Sequence, residues 1–244
     1  MGTTSTKEPQ INEPLIEVGI LLKKQRIDFT LLSPFTLDGR SIKEGEHHVE
    51  FSDGKILFNG EAFNEITFKT EDLHGSAFEL KDVIIGVNFH WERKEDQRFP
   101  GELKFIVEEE ALTAVNRVYL EDYLLSVISS EMSATSSEEL LKAHAVISRS
   151  WLLAQIVKNK ALEGEKASYR TSFETPDEIV RWYDREDHER FDVCADDHCQ
   201  RYQGITKQST ELVKKVIEAT RGEVAMHADV ICDGAVHRLQ VVVL

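Results

Sequence analysis

Two short stretches of this chain carry side chains able to do chemistry. In the first, SVISSEMSATSSEELLKAHAVISRSW (126–151), one carboxylate, Glu131, stands among small polar residues between two apolar, helix-patterned segments. A carboxyl group at a helix C-terminus faces the negative end of the helix dipole, which disfavours ionisation, and partial burial by Met132 and nearby leucines would push the same way. A neutral glutamic acid is what cleavage of a glycosidic bond requires of its proton donor. The alternative reading of Glu131 is a solvated loop acid.

The second stretch, HERFDVCADDHCQRYQG (188–204), gathers Cys194, His198 and Cys199 within six residues, with His188 six residues before Cys194. Two thiolates and one or two imidazoles make a tetrahedral zinc set, although adjacent His198 and Cys199 do not fit regular zinc-finger spacing. A Cys194–Cys199 disulfide or two free buried thiols remain open on spacing alone. Asp192, Asp196 and Asp197 read as turn residues. His47, His48, His74 and His90 read as solvated, and His144 as a packing histidine on a helix. Dinucleotide, Walker, H-E-x-x-H and G-x-S-x-G patterns are absent.

Composition narrows the classes. A net charge of −15 opposes non-specific binding to nucleic acid and a polybasic membrane anchor. No apolar run approaches the ~20 residues of a membrane span. The start, MGTTSTKEPQINEP, lacks the basic and apolar regions of a secretory signal, so by itself it reads as cytoplasmic or as a trimmed chain. Three cysteines are too few for a disulfide scaffold.

The elements that must position these groups fall in two textures. Residues 1–14 form a polar tail, and residues 15–110 a β-rich N-terminal part, with Asp53-Gly54 and Asn59-Gly60 between strand-like runs as hairpin turns require. FELKDVIIGVNFHWERKEDQRFPGELKFIVE (78–108) is expected to be two strands around a charged loop. At about residue 119 the texture turns helical. A first helix carries Leu120, Leu124, Val127 and Ile128 and ends near Ser130. A capping box of Ser136 and Glu139 opens a second, running to about Lys158, with Leu140, Ala143, Ile147, Trp151 and Ala154 on its apolar face and Arg149 and Lys142 off it. A short helix is expected over DEIVRWYD (177–184), a third clear helix over 210–220 stopping at Gly222, and strands beyond. The fold class is α+β.

Together the two stretches resemble the stage II sporulation protein D family (SpoIID/LytB). YLEDYLLSVISSEMSATSSEELLKAHAVISRSW is similar to its Y-L-x-x-V-x-x-x-E-M segment followed by an L-K-A-x-A-V-x-x-R helix. DVCADDHCQRYQG is similar to its later T-H-C-Q-x-Y-x-G block. The resemblance spans about residues 105–232, in a catalytic region of 111–244.

That resemblance implies a lytic transglycosylase acting on peptidoglycan glycan strands at the cell envelope, with Glu131 as general acid and base. Its alternative is a non-catalytic wall-binding enhancer of an N-acetylmuramoyl-L-alanine amidase. It also implies structural zinc on Cys194, His198 and Cys199, with His188 the fourth ligand by position. The chain departs from the family pattern after VICD, where GAVHRLQVVVL follows. A shifted frame or truncation after Asp233 is expected to give such an ending and to remove one wall of the glycan groove.

Overall fold

A computed structural model describes residues 13–86, 90, 92–133, 136–162, 172–174, 179–181, 188–196, 198–206, 209–227 and 229–232. Among the described residues, twelve strands precede the first helix: β1 Leu15–Lys24, β2 Arg26–Leu31, β3 Phe35–Leu37, β4 Arg40–Ile42, β5 Gly45–Ser52, β6 Lys55–Phe58, β7 Glu61–Phe63, β8 Glu65–Phe68, β9 Ala77–Ile85, β10 Arg93–Pro100, β11 Glu102–Glu108 and β12 Ala111–Tyr119. After them come α1 Leu120–Glu131, α2 Glu138–Leu162, β13 Ser172–Glu174, β14 Ile179–Arg181, β15 Val193–Cys194, α3 Glu211–Ala219, β16 Met226–His227 and β17 Val230–Ile231. The protein is α+β, strands first and helices after, as its sequence texture requires.

The larger strands form two sheets, in the order β15-β1-β12-β11-β8 and β10-β9-β2-β5-β6-β7. They pack face to face through a phenylalanine cluster. Phe29 on β2 lies 5.2 Å from Phe105 on β11 and 5.3 Å from Phe68 on β8, and Phe58 on β6 meets Phe68 edge-on at 5.2 Å. Such tilted and edge-on pairs add to the large apolar area that each ring buries. The expected turns are present. Asp53 and Asn59 adopt φ of 49°, each followed by a glycine at positive φ, which matches the strand twist in a tight hairpin.

Four local expectations change. The charged stretch RKEDQRFP is strand β10 rather than loop, antiparallel to β9 at a sheet edge. Gln97 and Phe99 face inward while Lys94, Asp96 and Arg98 face solvent, so an edge strand tolerates the charges. Within DEIVRWYD, residues 179–181 form β14 and pair with β13, because β-branched Ile179 and Val180 find a partner strand; the rest of that stretch lies outside the described residues.

Helix α2 begins one residue later than a Ser136 cap requires. Ser137 Oγ accepts from Leu140 N–H at 3.4 Å, and Glu139 pairs with Lys142 instead of closing a box. The helix also continues to Leu162, beyond Lys158.

The apolar stripe expected on α2 is turned outward over its first half. Leu140 is 49% and Ile147 39% exposed, Ala143 is exposed as well, and only Trp151 is buried. Buried in their place are Leu141, Ala145, Ser148, Leu152 and Ile156, together with Arg149. On that buried side the Arg149 guanidinium meets the carboxylate of Glu121 on α1, a charge that must be paired where it is buried.

Helix α3 follows expectation. The Thr210 side chain accepts from Val213 N–H at 3.2 Å, and Val213, Val216 and Ile217 face the core. One continuous apolar core runs from Ile16 in β1 to Ile217 in α3.

Candidate active site and metal centre

Glu131 is the last residue of α1, and Met132 caps the helix by donating its backbone N–H to Ile128 O at 3.1 Å. The carboxyl group does not swing free. Oε1 accepts the backbone N–H of Arg201 at 3.0 Å, and Oε2 lies 3.1 Å from Nε2 of His144 on α2. The Glu131 side chain keeps 25% of its surface, enough for a substrate to reach it, while His144 is buried. Both grips come from residues far along the chain, 13 and 70 positions away. No neighbouring residue announces them, and the sequence reading of His144 as simple packing missed its contact with the acid. A histidine at the second turn of the helix following an acid was the only available signal.

Arg201 is held in place by the segment around it. Tyr202 N–H donates to Ala195 O at 3.1 Å, and its hydroxyl donates to Asn116 Oδ1 at 2.7 Å in the centre of the first sheet. Asn116 spends its own amide protons on Pro100 O and Glu102 O. Gln203 N–H donates to Ser126 Oγ at 3.0 Å, and Gln200 Oε1 accepts from the buried Tyr123 hydroxyl at 3.2 Å. Tyr123 and Tyr202 stack with centroids 4.9 Å apart, joining α1 to this segment. Gly204 closes it at φ +58°; a Cβ there would lie 2.1 Å from Arg98 O, so only glycine lets the two backbones meet.

The Cys/His stretch lies immediately upstream. β15 adds parallel to β1, with Gly19 opposite Cys194. Asp192 Oδ2 accepts from Glu17 N–H at 2.8 Å and Ala195 N–H donates to Gly19 O at 2.9 Å, so Asp192 anchors the strand rather than facing solvent. Asp196 does form a turn, accepting from Cys199 N–H through its backbone carbonyl. Gly19 has no side chain because Phe191 occupies that space, 2.6 Å from where a Cβ would stand. The same Phe191 ring stacks on His188 at 4.5 Å.

His188, Cys194, His198 and Cys199 bring one ligand atom each to within 4.8 Å of one another. Cys194 Sγ is 3.8 Å from His198 Nδ1, and Cys199 Sγ is 3.6 Å from His188 Nε2 and 3.5 Å from His198 Nδ1. A tetrahedral zinc with bonds of ~2.3 Å to sulfur and ~2.0–2.1 Å to nitrogen separates its ligand atoms by roughly 3.4–3.8 Å. The four side chains therefore fit that ion. None of the three cysteines is in a disulfide, so the Cys194–Cys199 bridge is not formed. Hydrogen bonding with Cys199 and burial push the Cys194 thiol up to about 12, a shift that a dication reverses because the thiolate is the ligand.

Beside this group lies a cavity of about 430 Å³, between Leu21 of β1, Val83 of β9 and Gln97 of β10 on one side and His198, Arg201 and Gln203 on the other. The residue whose amide grips Glu131 thus also borders this space.

Among the described residues no helix is long and apolar enough to cross a membrane. Residues 108–227 match the family model described as Stage II sporulation protein, SpoIID. A stretch of 55 residues, 22% of the chain, is 40% identical to Stage II sporulation protein D of Bacillus subtilis (strain 168) and covers 16% of that protein.

Proposed function

Because the region 108–227 places this chain in the SpoIID family of stage II sporulation proteins, we propose that it cleaves peptidoglycan glycan strands as a lytic transglycosylase, with Glu131 as its single acid and base. The observation that carries this reading is the held, partly open carboxyl group. Glu131 ends a helix, has one oxygen held by the backbone N–H of Arg201 and the other against the His144 ring, and remains accessible. Fixed orientation of the proton-transfer group is what general acid–base catalysis needs.

Protonated Glu131 gives its proton to the glycosidic oxygen between N-acetylmuramic acid and N-acetylglucosamine, and the C1–O bond breaks with oxocarbenium character at C1. The C6 hydroxyl of the same muramic residue then bonds to C1. Its proton returns to the Glu131 carboxylate, leaving a 1,6-anhydro end and a free hydroxyl on the departing sugar. One carboxyl group serves both half-steps, and atoms balance without added water.

His188, Cys194, His198 and Cys199 would hold a zinc ion, and with four protein ligands that ion would be structural, clamping the segment that carries Arg201. A substrate of this kind puts the site of action at the cell envelope.

The test is incubation of the purified chain with amidase-treated glycan strands and mass spectrometry for anhydro-muramyl ends. Release by the wild type and none by Glu131→Gln supports the reading. Equal release by both, or none by either, overturns it, and stimulation of a cell-wall amidase by an inactive chain favours the enhancer role.

A further inference from the structure

The ring of His144 stands against the acid without itself exchanging a proton with the glycan. Its Nε2 is 3.1 Å from Glu131 Oε2, the residue is 7% exposed, and its Nδ1 is buried without a hydrogen-bond partner among the described residues. The two neutral tautomers are not equivalent in that setting. With the proton on Nδ1, a buried N–H donor goes unmet. With the proton on Nε2, the donor meets Glu131 and only a lone pair is left without a partner. The Nε2–H form is therefore favoured, and it donates to the carboxyl group.

We infer that His144 is the positioning residue of Glu131: its Nε2–H and the Arg201 amide hold the two carboxyl oxygens in one orientation and stabilise the negative charge that appears there as the proton leaves. This deepens the transglycosylase reading and rests on it. The two donors belong to different elements, α2 and the segment after the Cys/His group, and both are fixed before substrate arrives. Preorganised donors aimed at developing charge lower the barrier without improving ground-state binding. The outward turn of α2 described above serves the same contact, since the phase that buries Arg149 also brings His144 to Glu131.

The test uses the full chain with His144→Leu and His144→Gln, on the same glycan strands. His144→Leu keeps similar volume and removes the donor. It should lower kcat by about ten- to a hundredfold with KM within about twofold. His144→Gln restores an N–H donor at similar reach and should recover most of the rate. A His144→Leu variant with wild-type kcat overturns the inference, as does a His144→Gln variant equally impaired despite a wild-type melting temperature.

A second readout needs no activity. Long-range ¹H–¹⁵N spectra should show His144 in the Nε2–H form, with ring nitrogens that shift in Glu131→Gln. An Nδ1–H tautomer, or no response to Glu131→Gln, overturns the contact. If the wild-type chain releases no anhydro ends, the transglycosylase reading falls and the catalytic part of this inference with it; a rate loss confined to His144→Leu separates the two.

Discussion

Arg149 and Glu121 form a two-pronged ion pair where the three helices meet, with Nε to Oε1 at 2.9 Å and the second guanidinium nitrogen to Oε2 at 2.6 Å. The side chains are 1% and 6% exposed. A third Arg149 nitrogen donates to Glu223 O at 3.0 Å, and Gly222 N–H donates back to Glu121 at 3.3 Å, so the exit of α3 is tied to the start of α1. Ten residues beyond Glu121 on the same helix lies Glu131.

Removing one member of that pair leaves an uncompensated buried charge. Arg149→Met and Glu121→Leu should each lower stability by about 3–5 kcal/mol, while the double variant should lose less than the sum. Urea unfolding of the four chains, read as a double-mutant cycle, measures this. Arg149→Lys should not rescue, because a lysine ammonium cannot reproduce the fork.

Metal content and stability should move together. The purified, reduced chain should carry close to one equivalent of zinc, and a strong chelator should lower its melting temperature. With free zinc at ~100 times its dissociation constant, the stabilisation lost is about 2.7 kcal/mol. Cys199→Ser should abolish both the metal and the response to chelator, as metal analysis and calorimetry will show.

Gly204→Ala tests whether the segment carrying Arg201 is set by backbone packing. A Cβ at 2.1 Å from Arg98 O and 2.6 Å from Phe99 Cδ1 cannot be absorbed by side-chain motion alone. The variant should lose clearly more than the ~1 kcal/mol typical of a strained but open glycine, and glycan cleavage should fall with it. Gly54→Ala, at φ +74° with nothing within 4 Å, is the control and should cost only the open-glycine amount. Chemical denaturation distinguishes them.

Acid sensitivity should trace in part to Glu79. Hydrogen bonds from Arg98, and then from Lys81, hold its carboxyl below the ordinary value of 4.5. Since the folded value lies below the unfolded one, the stabilisation is present above that ordinary value and is lost as pH falls through the folded value. Glu79→Gln should therefore be less stable than wild type at pH 7, and the gap should narrow near pH 3. Unfolding curves at the two pH values check the sign.

Much of this was legible in the residues themselves. Asp53-Gly54 and Asn59-Gly60 specify turns because positive φ is a local property of those residue types. Thr210 and Gly222 bracket α3 for the same kind of reason. The Cys/His candidates are legible because two thiols and an imidazole fall within six residues, although spacing alone left a disulfide or free thiols open as well. The charged run over β10 was not, since whether it pairs depends on β9 presenting an open edge. Nor was the buried face of α2, because two stripes of that helix could each serve as an interface, and the buried one includes Arg149, whose partner Glu121 lies 28 residues before it.

Sequence by itself thus determined the α+β class, and it singled out Glu131 as a candidate acid and His188, Cys194, His198 and Cys199 as candidate ligands, all carried by residue type and near spacing. The tertiary structure alone decided what holds the acid. Arg201 and His144 reach Glu131 only after β15 has joined β1 and α2 has turned its charged side inward. Such contacts, made across many residues, depend on which surfaces bury one another, and no local pattern encodes that.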